Sequence, residues 1–223
     1  MDPRYERNFP ALTEAEFAIL RKKRVLVVGC GGLGGHLIDM LARIGIGAIR
    51  AVDGDVFEPS NLNRQLLSEV PLLGVSKAKA AATRVSRVNP DVEIEAAEEY
   101  MSETNVRKLL QSCDAVLDGL DNIQSRKVLA AACSEAGIPY IYGAVNGWVA
   151  QAAISMSGDD LIKTLYPEEI ILKDKSVLSF TPALCASMQV SLCVKLLVGR
   201  SVETGTIYYF DILNQEFETI PMV

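Results

Sequence analysis

The sequence predicts an α/β fold: a doubly wound, mostly parallel sheet that finishes in antiparallel strands. Three observations carry this expectation. Short apolar runs alternate with helical patterns through the first two thirds of the chain, and a glycine cluster, GCGGLGG, separates the first such run from the first long helix. After Gly147 the pattern changes, and strand-like runs follow one another around turns with no helix between them. At 223 residues, with no hydrophilic linker, the chain is expected to form a single domain over 1–223.

The elements follow in order. Thr13 and Glu16 have capping-box spacing and predict a helix from Glu14 to about Lys22. Val25 to Val28 reads as a strand, Leu33 to Ile44 as a helix, Ala48 to Val52 as a strand, Ser76 to Val88 as a helix and Val92 to Ala96 as a strand. A helix near Thr104 to Gln111, the strand AVLDGL, a helix from Ile123 to Ala136 and the strand IPYIYGAV continue the alternation. Such alternation requires right-handed crossovers and a parallel sheet covered on both faces. WVAQAAISM then reads as a strand, and GTIYYFDILNQEFETIPM as two strands about a polar turn. Between them, about 157–180 is charged and irregular and reads as a mobile crossover loop. Thr181 and Pro182, as N-cap and first-turn residues, open an apolar helix.

Composition narrows the function classes. A formal charge of -6 argues against a nucleic-acid surface, though not against a local cationic pocket. Five scattered cysteines with no C-x-x-C suit a reduced, cytoplasmic protein. The polar N-terminus does not resemble a signal peptide, and the apolar helix carries Ser187, Gln189, Ser191 and Lys195, so it reads as a core helix and not a membrane span.

Gly29, Gly31 and Gly34 form G-x-G-x-x-G directly after a strand and at the start of a helix, the Rossmann-like context for phosphate binding; Gly32 lies in the same loop. Asp53, at the end of the second strand, is placed to accept hydrogen bonds from ribose hydroxyls. These features alone suit a nicotinamide dinucleotide. A triphosphate carries more charge and needs cations beyond the glycines, and Arg64 and Lys77, with Asn61 as a neutral donor, can supply them.

GCGGLGG, VDGDVFEPSNLNRQ, GVSKAKA and DAVLDGLDN, in this order, resemble the ThiF/MoeB/HesA family of adenylating enzymes, relatives of the ubiquitin-activating enzymes. The S-N-L-x-R-Q block is more specific than the glycine motif. The resemblance implies adenylation, by ATP and Mg, of the C-terminal Gly-Gly carboxylate of a small ubiquitin-like sulfur carrier protein. It places Asp53 on the ribose, Asn61, Arg64 and Lys77 on the triphosphate, Gln65 in support and Asp121 on Mg. It also matches Arg7, in RYERN, to an arginine inserted into the neighbouring subunit's site, which implies a homodimer.

The chain departs from many relatives in lacking paired C-x-x-C motifs, so no zinc site is expected, and residues 150 to 180 contain no cysteine. Cys30 and Cys185 are the only thiols near plausible catalytic positions, and buried free cysteine is the ordinary case. His36, Asp114, Tyr142 and Trp148 read as packing or turn residues, and Asp118 as a support for the site. Two other readings stay open: an NAD-dependent oxidoreductase, which leaves Asn61, Arg64 and Lys77 unexplained, and an ATP-dependent tRNA-base dehydratase, disfavoured by the absence of a basic patch.

Overall fold

The computed structural model describes residues 2–159, 161–167 and 176–222. Eight strands form one sheet: β1 (Arg24–Val28), β2 (Ala48–Val52), β3 (Glu93–Ala97), β4 (Ala115–Asp118), β5 (Tyr140–Asn146), β6 (Val149–Ser155), β7 (Thr206–Asp211) and β8 (Glu216–Pro221). Their spatial order is β3-β2-β1-β4-β5-β6-β7-β8. The first five pair in parallel and the last four antiparallel, with β5 common to both sets. The doubly wound sheet with an antiparallel end is therefore the observed architecture.

Alternation along β1 explains why the sheet is covered on both faces. Val25 and Val27 enter one core with α2 (Gly32–Ile44), α3 (Lys77–Val88) and α7 (Phe180–Leu197). Leu26 and Val28 enter the other, with α4 (Val106–Leu109), α5 (Ile123–Ala136) and α6 (Leu161–Leu165). The N-terminal helix, α1 (Glu14–Leu20), has the expected capping box: Thr13 Oγ1 accepts from Glu16 N, while the Glu16 carboxylate accepts from Thr13 N. Arg200 also binds Glu16, and these contacts hold its carboxyl down to about 2.

Two expectations change in detail. α7 begins at Phe180 with Ser179 as its cap residue, two residues earlier than expected. Thr181 is instead buried, and its hydroxyl donates to Gly147 O at 2.8 Å, tying the helix to the β5–β6 turn. The expected irregular crossover falls partly outside the described residues, at 160 and 168–175; within it, Leu161–Leu165 is helical because Leu161 and Ile162 bury against the second core. α7 itself packs against α2, β5 and β6, as a core helix does.

Parallel pairing between β4 and β5 is short, covering only Val116–Tyr140 and Leu117–Ile141. Beyond it the strands part, and buried Gln189 of α7 fills the opening, donating to Asp118 O at 2.9 Å and Ile141 O at 3.1 Å. A Cβ at Gly143 would lie 2.2 Å from this amide, so only glycine fits there. β1 and β4 mark the point where the winding reverses, and the crevice at their carboxyl ends is where such sheets place ligands.

Candidate functional site

At that crevice lies a cavity of about 690 Å³, within the usual range for a small-molecule site. Its floor is the glycine loop. Gly29 has φ +89°, a conformation that side chains resist, and a Cβ on Gly34 would sit 1.7 Å from Gly29 O. The loop can thus fold back on α2 only with glycine at both places. No side chain caps α2, so its first N–H groups and positive dipole end face the cavity without a protein partner of that kind.

Asp53 fixes the loop to β2. Its Oδ2 accepts from Cys30 N at 2.7 Å and its Oδ1 from Asp55 N at 2.8 Å. Burial pushes its carboxyl up from the ordinary range, against the pull of these two donors. Lys77, at the start of α3 and only 7 % exposed, donates from Nζ to Asp55 Oδ2 at 3.0 Å. Arg64 lies on the opposite lip, where Nη1 donates to Ser60 O and Asn63 Oδ1, both at 2.9 Å.

The S-N-L-x-R-Q block divides its labour. Gln65 is buried beside Gly31, and its Oε1 has no partner among the described residues. Asn61 lies beneath the turn, outside the cavity wall: its Oδ1 accepts from Glu58 N at 3.0 Å and shapes the segment that carries Arg64. The neighbouring Asn63 occupies the wall instead. Asp121 lies on the wall beyond β4, and Asn122 next to it caps α5, accepting from Ser125 N at 2.8 Å. Arg7 is exposed on a short 3₁₀ turn and does not line its own chain's cavity. The fold therefore brings Gly29, Gly31, Gly32, Asp53, Arg64, Gln65, Lys77 and Asp121 to one cavity, with Gly34 directly behind the loop, and leaves Asn61 and Arg7 off its wall.

Two residues that sequence reasoning passed over complete the walls. Arg126 of α5 donates from Nη1 to Asp118 Oδ2 at 2.9 Å and to Gly143 O at 2.6 Å, and from Nη2 to Leu120 O. Asp118, fully buried, also accepts from Leu120 N at 2.7 Å and from the Tyr140 hydroxyl. Burial pushes the Asp118 carboxyl up, and Arg126 opposes it. Leu120 is thus held at both its N–H and its C=O, immediately before Asp121. Tyr100, after β3, lays its ring across Gly54, where a Cβ would come within 2.7 Å of it, and its hydroxyl donates to Asp55.

The thiols stand apart from this cavity. Cys30 and Cys185 are both buried and absent from its wall; burial raises the Cys30 thiol well above its usual range and pushes Cys185 up to about 12. Cys185 Sγ donates to Gln151 O at 3.2 Å, a packing role. Asp114 accepts from Arg24 N at 2.8 Å and Lys23 Nζ at 2.9 Å beside the sheet, and Trp148 packs on Phe180 with ring centroids 5.1 Å apart.

A doubly wound α/β protein with an anion-directed glycine loop at its switch point is the class these features define. The chain belongs to the ThiF family, which matches residues 5–223. It is 34 % identical over 210 residues to the SAMP-activating enzyme E1 of Haloferax volcanii, covering 91 % of this chain and 77 % of that protein. It is 33 % identical over 214 residues to the probable adenylyltransferase/sulfurtransferase MoeZ of Mycobacterium tuberculosis, covering 90 % of this chain and 54 % of the relative. The chain thus spans about half the length of several curated relatives. Among solved structures, MccB of E. coli superposes with a TM-score of 0.88 at 18 % identity, over 99 % of this chain and 69 % of that one. MccB with ATP gives 0.85 at 19 % identity, over 100 % and 72 %. At such identity the likeness speaks for the fold.

Proposed function

We propose that this chain is an adenylyltransferase that uses ATP with Mg to activate the C-terminal Gly-Gly carboxylate of a small ubiquitin-like sulfur carrier protein, releasing pyrophosphate. The observation that carries the reading is the gathering of the glycine loop, Asp53, Arg64, Lys77 and Asp121 around one cavity. The names of the relatives, a SAMP-activating enzyme and an adenylyltransferase/sulfurtransferase, point the same way.

In this reading Asp53 accepts from the ribose hydroxyls, and the triphosphate runs over the glycine loop toward Arg64 and Lys77. Gln65, buried with its side-chain amide against Gly31, supports the loop. A carboxylate oxygen of the carrier attacks the α-phosphorus; the new acyl–phosphate bond forms as the α–β phosphoanhydride bond breaks and pyrophosphate departs. No proton is transferred, because the carboxylate is already ionised, so the lack of a histidine or thiol among the described residues of the wall is no obstacle. Arg64 and Lys77 oppose the charge repulsion between carboxylate and phosphates and the charge that grows on pyrophosphate. Asp121 offers the hard oxygen that Mg prefers and would hold it; bound Mg supplies further charge neutralisation at the phosphates.

Arg7 enters the proposal through a second copy of the chain. Its exposure, and its position off its own cavity wall, suit a side chain that reaches the partner's site in a homodimer. Mixing Arg7→Ala with Asp121→Ala chains should then restore one working site per mixed dimer, and verified mixed dimers with no recovery would remove this assignment. The reaction itself is tested by ATP–pyrophosphate exchange with purified protein, Mg and small Gly-Gly-terminated proteins. Exchange that depends on the carrier is expected; binding of NAD in place of ATP would return the site to redox chemistry.

A further inference from the structure

Lys77 does not stand alone at the cavity. Its Nζ is bound to Asp55 Oδ2 at 3.0 Å, and its backbone N donates to Asp55 O at 3.0 Å, so one residue holds both ends of the lysine. Asp55 is held in turn. Its N–H donates to Asp53 Oδ1, and its other carboxylate oxygen accepts from the Tyr100 hydroxyl. Tyr100 can reach it because its ring rests on Gly54, where any side chain would collide with it. All five residues, Asp53, Gly54, Asp55, Lys77 and Tyr100, line the same cavity.

The proposed phosphate-binding lysine is therefore tied, through one carboxylate, to an aromatic ring on the β2–β3 side of the crevice. An unrestrained lysine loses several rotatable bonds' worth of freedom when it engages a ligand. A lysine already fixed on Asp55 has lost most of that freedom beforehand, so binding phosphate costs less ordering. Tyr100 as a residue is 68 % exposed, so a purely packing role accounts poorly for its placement.

We infer that Asp55 and Tyr100 are positioning residues for Lys77, pre-setting its ammonium for the triphosphate; this rests on the adenylyltransferase reading above. Asp55 acts directly on Lys77, and Tyr100 acts through Asp55. Neither needs to touch the transferred phosphorus.

The test is calorimetric titration of ATP and of AMP, each with Mg, into wild-type protein, Tyr100→Phe and Asp55→Asn. Wild type should bind ATP more tightly than AMP. Tyr100→Phe, which keeps the ring and removes only the hydroxyl, should weaken ATP about three- to tenfold and leave AMP unchanged. Asp55→Asn should lower ATP affinity further, again with AMP unchanged, and retained AMP binding doubles as the check on folding. Unchanged ATP affinity in both variants would overturn the inference. Equal losses for ATP and AMP would do so too, by placing the hydroxyl on the nucleoside, and tighter ATP binding in Asp55→Asn would make the carboxylate a competitor for Lys77. Wild-type protein that fails to bind ATP would contradict the adenylyltransferase reading itself and take this inference with it.

Discussion

Two ion pairs flank the cavity, and they are built to different ends. Asp118–Arg126 is sealed, with side-chain exposures of 0 % and 6 %, and further donors and acceptors surround it. Lys77–Asp55 has a buried lysine stem but a carboxylate that is 49 % exposed. In the sealed pair three bonds fix backbone: Leu120 is gripped at both ends, and Gly143 O is satisfied where β4 and β5 separate. In the open pair the carboxylate meets solvent, which weakens its hold on the lysine, and a polyanion in the cavity can take over the cation. One pair thus holds the shape of the site, and the other keeps a charge ready for a ligand.

The strongest way to break this contrast is at the sealed pair. Arg126→Ala leaves Asp118 charged, buried and short of its main partner, and should cost about 3–5 kcal/mol of folding stability. Urea denaturation measures it, and a loss below about 1 kcal/mol would show that the pair is not the structural anchor described here. At the open pair the balance should reverse. Lys77→Ala should cost less stability than Arg126→Ala, because the Asp55 it abandons is half-exposed and only the packing of the lysine stem is lost. It should weaken ATP use by about 1.5–3 kcal/mol, roughly tenfold to a hundredfold. Arg64→Ala should weaken ATP use alike, and wild-type turnover in both variants would displace the triphosphate from these two cations.

The thiols sharpen the contrast from another side. With Cys133, Cys185 and Cys193 pushed up to about 12 by burial, and Cys30 raised well above its usual range, native protein should react with a thiol reagent first at Cys113, which is only partly buried. Rapid labelling of Cys30 or Cys185, read by peptide mass, would show that the core around these thiols opens more than their burial indicates. The smallest effect lies farthest from the site. Glu16, held near 2 by Arg200 and Thr13, has a folded-state value below its unfolded one, so its stabilising contribution is complete above about pH 4.5 and is lost as pH falls toward 2. Glu16→Gln should therefore flatten the acid limb of the stability curve in that window alone.

Much of the fold was legible because its signals are local. Thr13 and Glu16 announced a capping box, Gly29 to Gly34 a loop that no other residue could form, and the alternating apolar runs a sheet buried on two faces. The site was less legible where it depends on distant contacts. Asn61, a neutral donor that the S-N-L-x-R-Q resemblance places on the triphosphate, is turned inward, which leaves Asn63 on the wall. Arg126 lies one helical turn after the Asn122 cap, spacing that could have placed it beneath Asp121, but its partners come from β4 and β5. Tyr100 follows β3 at the carboxyl edge of the sheet, where ligand-facing residues collect, but no motif marks it. α7 starts earlier than expected, with Thr181 inside its first turn and its hydroxyl donating to Gly147 O in place of accepting a cap bond from the helix.

The central claim concerns which bond of ATP this cavity breaks, and the products report it. Purified protein, Mg and a Gly-Gly-terminated carrier should convert ATP to AMP-linked carrier and pyrophosphate, seen as an adenylyl adduct in the intact mass of the carrier. ADP and inorganic phosphate, with the carrier unmodified, would contradict the account, because attack would then have fallen on the γ-phosphorus and not the α.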